Sequence, residues 1–97
     1  MTEISTVPEP VTAVPLPGLR VRWDGSNEDA VRQVAGERWR GTMGPDAFIW
    51  GMAGRLVRVR PGMVVTCLWD PGDPQAGGIV IAADAAVAAL QWKAAGG

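Results

Sequence analysis

From residue 19 to residue 23 the chain alternates apolar and charged positions, Leu19-Arg20-Val21-Arg22-Trp23. Period two marks a half-buried strand, with Leu19, Val21 and Trp23 facing a core. The turn cluster Asp24-Gly25-Ser26-Asn27 follows, after which the spacing becomes helical, and Ala30, Val31, Val34 and Ala35 fall on one stripe. Ser26 is the expected N-cap, with Asp29 three residues on as a form of the capping box. Glu28 and Arg32 stand at the i,i+4 spacing of an ion pair. Gly36 suits the left-handed position past the last turn, so the helix is predicted to end near Ala35.

Beyond the helix the pattern weakens. Gly41, Gly44 and Pro45 interrupt any period between 37 and 46, which is read as a loop with a short strand at most. Residues 47–50 and 55–60 are two short runs joined by Gly51-Met52-Ala53-Gly54, the length and glycine content of a hairpin connection. Pro61-Gly62 turns the chain into a strand over 63–69. Residues 70–78 hold two prolines and three glycines and are read as a loop. Ile79-Val80-Ile81 is a short apolar strand, and a second helix is predicted from Asp84 as cap, with Val87, Leu90 and Gln91 on one face and Trp92 near its end.

Upstream of Leu19 there is no period at all. Pro8, Pro10, Pro15 and Pro17 interleave with Val, Thr and Ala, and Gly18 closes the stretch. Proline removes backbone donors and biases its predecessor toward extended conformations. Residues 1–18 are therefore expected to be a flexible or extended arm, polyproline-like, solvated or laid along something else, and neither helix nor central strand. The architecture predicted for 19–97 is a single α+β domain: a mostly antiparallel sheet of four to five short strands with two short helices.

Composition narrows the class without changing this picture. The chain has 97 residues, 47% of them hydrophobic and 20% charged, which suits one small globular domain. No apolar run approaches a bilayer span, and MTEISTVPEP has neither a basic start nor an apolar h-region, so no membrane role and an unprocessed cytosolic chain are expected. Net charge is −1, which argues against nucleic acid as a partner. The charge is uneven, however: all eight arginines lie between Arg20 and Arg60 against five acids, an excess of three positive charges there.

The chemistry is defined by what is missing. There is no histidine, hence no histidine-based triad, base or metal ligand. A single cysteine, Cys67, excludes a structural zinc site, and its place in an apolar run makes it a buried thiol. Asp70-x-x-Asp73 offers two acids where a hard cation needs several converging oxygens, so it is read as a turn. Gly51-x-x-Gly54 and Gly77-Gly78 lack the strand-to-helix setting of a phosphate loop. No catalytic residue, cofactor or metal is expected.

Two binding features remain. Arg20 and Arg22 share the polar parity of the first strand, and Arg58 and Arg60 share that of a later one if Val57 and Val59 point inward. Were those strands neighbours, four guanidinium groups would share a surface suited to phosphate, carboxylate or an acidic partner, against the simpler reading of a solvated sheet face. The second feature is five tryptophans beside one Phe and no Tyr. A core this small does not hold them all, and exposed Trp beside Arg is the composition of an interface hot spot. Trp23 and Trp69 are expected in the core, Trp39 and Trp92 outside it. The candidate partner-binding residues are thus Arg20, Arg22, Arg58, Arg60, Trp39 and Trp92.

Two stretches, Trp23-Asp24-Gly25-Ser26-Asn27-Glu28 with its helix and Val57-Arg58-Val59-Arg60-Pro61-Gly62-Met63-Val64-Val65, resemble a family of small phage-encoded proteins of uncharacterised function. Its members show a strand ending in QW-x-G-[DS]-N, a short helix and a later V-x-P-G-D-W-[IV] strand start. Here Arg22 stands in place of the usual Gln and Met63 in place of the acid. The resemblance spans about a quarter of the positions and implies a phage origin and the element order above; it carries over no activity and no functional residue. Two non-enzymatic classes are left, located in the virion or the host cytoplasm. One is an accessory virion component, capsid-decorating or joining, whose arm lies across neighbouring phage structural subunits. The other is an early phage protein that binds and modulates a host protein through an Arg/Trp surface. Homo-oligomerisation is compatible with either.

Overall fold

The computed structural model describes residues 5–13, 16–51, 54–70 and 73–82. In chain order these form β1 (Glu9–Ala13), β2 (Leu16–Arg22), α1 (Glu28–Ala35), a 3-10 turn (Gly36–Arg38), β3 (Trp39–Met43), β4 (Asp46–Trp50), β5 (Leu56–Val59), β6 (Val64–Asp70) and β7 (Asp73–Ala82). All pairings are antiparallel. One sheet has the order β1-β2-β6-β7, the other is the meander β3-β4-β5. This is a small α+β domain made mostly of strands. The described residues hold seven strands in two sheets rather than the four or five expected in one, β1 and β3 being the additions. The second predicted helix and Trp92 lie outside the described residues.

Helix α1 packs on β2 and β6, and the core forms where it meets both sheets. Val21 and Trp23 enter it from β2 and its end, Val31, Val34 and Ala35 from α1, Ile49 and Val59 from the meander, Val65 and Cys67 from β6. The predicted phase of β2 and the helical stripe are both correct, with Leu19 and Ala30 half-buried against the same cluster. Strand β6 is buried on both faces, since Val64, Thr66 and Leu68 are also enclosed. An apolar run in the interior of a sheet has that consequence. No helix among the described residues is long and apolar enough to cross a membrane.

The proline-rich stretch departs from its prediction. Instead of an arm over 1–18, Glu9–Ala13 pairs with Leu16–Arg22, with Glu9 opposite Arg20 and Ala13 opposite Leu16. The prolines are tolerated because of where they fall. β1 is a sheet edge, so Pro10 can turn its missing donor outward; β2 pairs with β6 only from Gly18 to Arg22, so Pro17 lies beyond that ladder. Gly18 has a packing role: a Cβ there would lie 2.1 Å from the Cys67 carbonyl oxygen. Two further bonds fasten the chain ahead of β1. Arg22 N–H donates to Ser5 O at 3.2 Å, and Asn27 Nδ2 donates to Thr6 O at 2.6 Å and to Arg22 O at 2.7 Å.

Residues 70–78 are the second departure, because Asp73–Gly78 belongs to β7 rather than to a loop. β7 is the other edge of its sheet, where proline and glycine disturb only one ladder. The β6–β7 register shifts between Leu68 and Asp70, absorbing the irregular composition. β3 is the short strand allowed for between 37 and 46, its alternation broken at Gly41, which has φ +129°.

The two stretches that carry the family resemblance touch each other. Trp23 N–H donates to Met63 O at 2.9 Å, and Gly62 N–H donates to Trp23 O at 2.6 Å. Trp23 Nε1 donates to Pro45 O at 2.8 Å, so the buried indole leaves no donor idle. Gly25 has φ +93°, and a Cβ there would lie 3.4 Å from Pro61 Cγ. Ser26 does not cap α1 as expected. Asn27 occupies the cap position, without a side-chain cap bond. Asp24 closes the turn instead, accepting from Ser26 N at 2.7 Å, Ser26 Oγ at 2.9 Å and Asn27 N at 2.9 Å.

Those bonds, from Ser26 above all, hold the Asp24 carboxyl below its ordinary value of 3.8. A depressed carboxylate stabilises the fold fully above its unfolded value and loses that contribution as pH falls through the folded one. Asp24→Asn should therefore lower the neutral plateau of a plot of melting temperature against pH and flatten its acid side, the two proteins converging at low pH. An acid limb identical to the parent's would show that the turn does not titrate with folding.

Candidate functional site

The structure separates the four arginines singled out by parity. Arg20 and Arg22 lie on β2, in the four-stranded sheet, whereas Arg58 and Arg60 lie on and just after β5, at the edge of the meander. The strands are not neighbours, so the shared surface does not follow from pairing. Nor is the β2 pair a solvated face: Arg20 is half-buried opposite Thr66, with Nε 3.5 Å from Glu9 Oε2. Arg58 serves the fold, since its Nε donates to Oδ2 of the buried Asp46, two residues along β4 from Phe48, the register partner of Arg58. Arg60 is exposed.

That ion pair sets an expectation. Arg58 itself is largely exposed, which screens the attraction, but its loss leaves a buried carboxylate unpaired. Arg58→Ala should cost about 1–2 kcal/mol in denaturant unfolding. Asp46→Asn combined with Arg58→Ala should recover part of the loss; no recovery would mean the pair is not what is lost.

Two tryptophans change places relative to expectation. Trp39 is half-buried on the core, its ring edge-on to Trp23 with centroids 6.1 Å apart. Trp69, placed in the core by sequence, is 37% exposed. It shares the parity of Val65 and Cys67, but α1 is only eight residues long and ends at Ala35, and Trp69 lies at the strand's end by the β6–β7 register break. Trp50, at the end of β4, is 39% exposed.

Trp50 and Trp69 line a groove of about 660 Å³ between the end of α1, the 3-10 turn and the ends of β4 and β6. Its floor is apolar and buried, formed by Val34, Ala35, Cys67 and Leu68. Its rim carries Arg38, Arg40, Trp50 and Trp69, with Glu37 the acid among them. Burial pushes the Cys67 thiol up, with Arg38 pulling weakly the other way, so the floor is an uncharged thiol at neutral pH.

The local fold sets Arg40. On β3, Trp39 pairs with Ile49 and Gly41 with Phe48, leaving Arg40 as the extra residue of a bulge. A bulge re-aims its side chain. Arg40 reaches over the Trp50 ring, 5.7 Å from its centroid, while its Nη1 donates to Glu37 O at 2.7 Å and Trp39 O at 3.1 Å. Arg38 Nη1 donates to Trp50 O at 3.4 Å. Among the described residues, neither Arg38 nor Arg40 forms an ion pair with a carboxylate, and no group of three or more potential metal ligands occurs. The signal in the sequence was the triplet Arg38-Trp39-Arg40, which alternates about an inward indole.

Compared with known protein families, curated proteins and solved structures, the chain gives no match in any of the three.

Proposed function

We propose that this chain is a small phage protein that works without catalysis, by binding another protein through the groove of Arg38, Arg40, Trp50 and Trp69, and that its partner is a host protein in the host cytoplasm. The observation that carries the reading is the pair of exposed indoles set beside two arginines free of carboxylates among the described residues. Tryptophan and arginine are enriched among the few residues that dominate the binding energy of an interface, and exposed indoles beside arginines have that composition. The phage origin comes from the resemblance of the Trp23 and Pro61 stretches. The accessory virion reading depends on an arm reaching other subunits, and much of that segment is hydrogen-bonded into its own sheet, which favours the host-binding reading.

The test is capture from host extract with the full chain, run beside an Arg40→Glu, Trp50→Ala variant shown by circular dichroism to be folded. A host protein retained by the parent and lost by the variant supports the proposal. Capture that is equal for both sinks the groove. Stoichiometric copies of the chain in purified particles, measured by mass spectrometry, would move it to the virion class.

A further inference from the structure

We infer that the groove takes a short acidic segment of the partner, with Asp or Glu side chains flanking one large apolar anchor. The inference rests on the reading of the chain as a protein-binding module and specifies the chemistry of what it binds.

Charge is the first ground. Arg38 and Arg40 stand on one rim and, among the described residues, are paired to no carboxylate; Arg22, Arg55 and Arg60 are unpaired as well, but they do not line the groove. Glu37 on the same rim offers its carbonyl to Arg40, and its own exposed carboxylate leaves the rim one net positive charge. Of the five guanidinium donors of Arg40, those on Nε and Nη2 make no protein hydrogen bond among the described residues. A planar fork with free donors suits a carboxylate.

Preorganisation is the second. Two carbonyls and the Trp50 ring hold Arg40, and the bulge that aims it is part of the β3–β4 ladder. A side chain already fixed loses little entropy when a ligand arrives, so the affinity gained per contact is larger. The third ground is the floor. Val34, Ala35 and Leu68 are apolar and buried, the Cys67 thiol is uncharged, and Trp50 and Trp69 stand exposed around them. The apolar surface open to a ligand is that of the two indoles, which rewards an aliphatic or aromatic side chain laid against them. At about 660 Å³ the groove has the capacity of a site for a ligand or a few peptide residues rather than for a flat domain face.

Single-stranded nucleic acid would use the same residue types, indoles for stacking and arginines for phosphate. What counts against it is Arg40, which already lies over the Trp50 ring on which a base would stack.

The experiment uses the full chain, immobilised, against a displayed library of random short peptides, with Arg40→Glu selected in parallel and an oligothymidine strand as a separate probe. The expected result is enrichment of sequences in which acids flank one Leu, Ile, Met, Phe or Trp. The best of these should lose at least about tenfold in affinity on Arg40→Glu and weaken as salt rises. Because Arg40 is exposed and Trp50→Ala could disturb the β4 end, Arg40→Lys is added: it keeps the charge, loses the fork, and should fall between parent and Arg40→Glu. Enrichment of neutral or basic peptides, no enrichment, identical selections on parent and Arg40→Glu, or tighter binding of oligothymidine would each overturn the inference. If it falls while host capture still depends on Arg40 and Trp50, the protein-binding reading stands and only the partner's chemistry is wrong. Loss of that dependence takes both.

Discussion

Val59→Asp is expected to abolish the cooperative unfolding transition. Val59 is fully buried and sits opposite Ala47 in the β4–β5 ladder, in the cluster that joins the meander to α1 and the larger sheet. A carboxylate there would stand in an apolar cluster, and the nearby Arg58 points from the opposite face of β5 and already holds Asp46. An unpaired buried charge costs at least about 3–5 kcal/mol, against a total stability of roughly 5–15 kcal/mol for a domain of this kind. Val59→Ala, which only removes methyl groups, should cost about 2 kcal/mol and keep a sharp transition. Thermal unfolding followed by circular dichroism distinguishes the three proteins. A Val59→Asp variant that melts like the parent would invert the phase of β5.

Deleting residues 1–17 should produce the next largest effect, a steep fall in melting temperature or failure to fold. The deletion removes β1, the start of β2 and the segment held by Asn27. It strips one side of β2 of its ladder and turns an interior strand into an edge. With each backbone bond worth about 0.5–1.5 kcal/mol net, losing a five-residue ladder accounts for several kcal/mol. The sequence alone implies the opposite, a dispensable arm. A truncated chain with the parent's melting temperature would restore that view and detach β1 from the domain.

The elements legible in the sequence share one property: a local period strong enough to stand without tertiary help. Leu19 to Trp23 alternates cleanly, the Ala30–Ala35 stripe repeats at helical spacing, and the β4–β5 hairpin is bracketed by glycines. What escaped depends on position within a sheet, which no local pattern encodes. Pro10 and Pro17 forbid a strand flanked by ladders along its whole length but not one at the edge or beyond the ladder's end. The bulge at Arg40 blurred β3 by breaking its alternation, and edge placement hid the first half of β7. The site was half visible. Trp beside Arg was the right composition, but Arg58 turned out to neutralise a buried acid, and Trp69 to lie past the reach of a short helix. Both outcomes require knowing which residues stand opposite one another.

The backbone bonds from Trp23 to Gly62 and Met63 carry a further consequence for how the chain folds. They close the base of an excursion, residues 24–61, that contains α1 and the whole meander. β2 and β6 flank that excursion and pair across it, Arg22 with Val64. The larger sheet therefore cannot complete itself until the excursion has been drawn in, a closure whose entropy grows slowly with length but must be met before any β2–β6 bond repays it. The meander, by contrast, pairs only sequence neighbours, and local hairpins form fastest. The pairing expected last is that of β2 with β6, which joins the local hairpins β1–β2 and β6–β7 once the bonds of Trp23 with Gly62 and Met63 have closed the excursion.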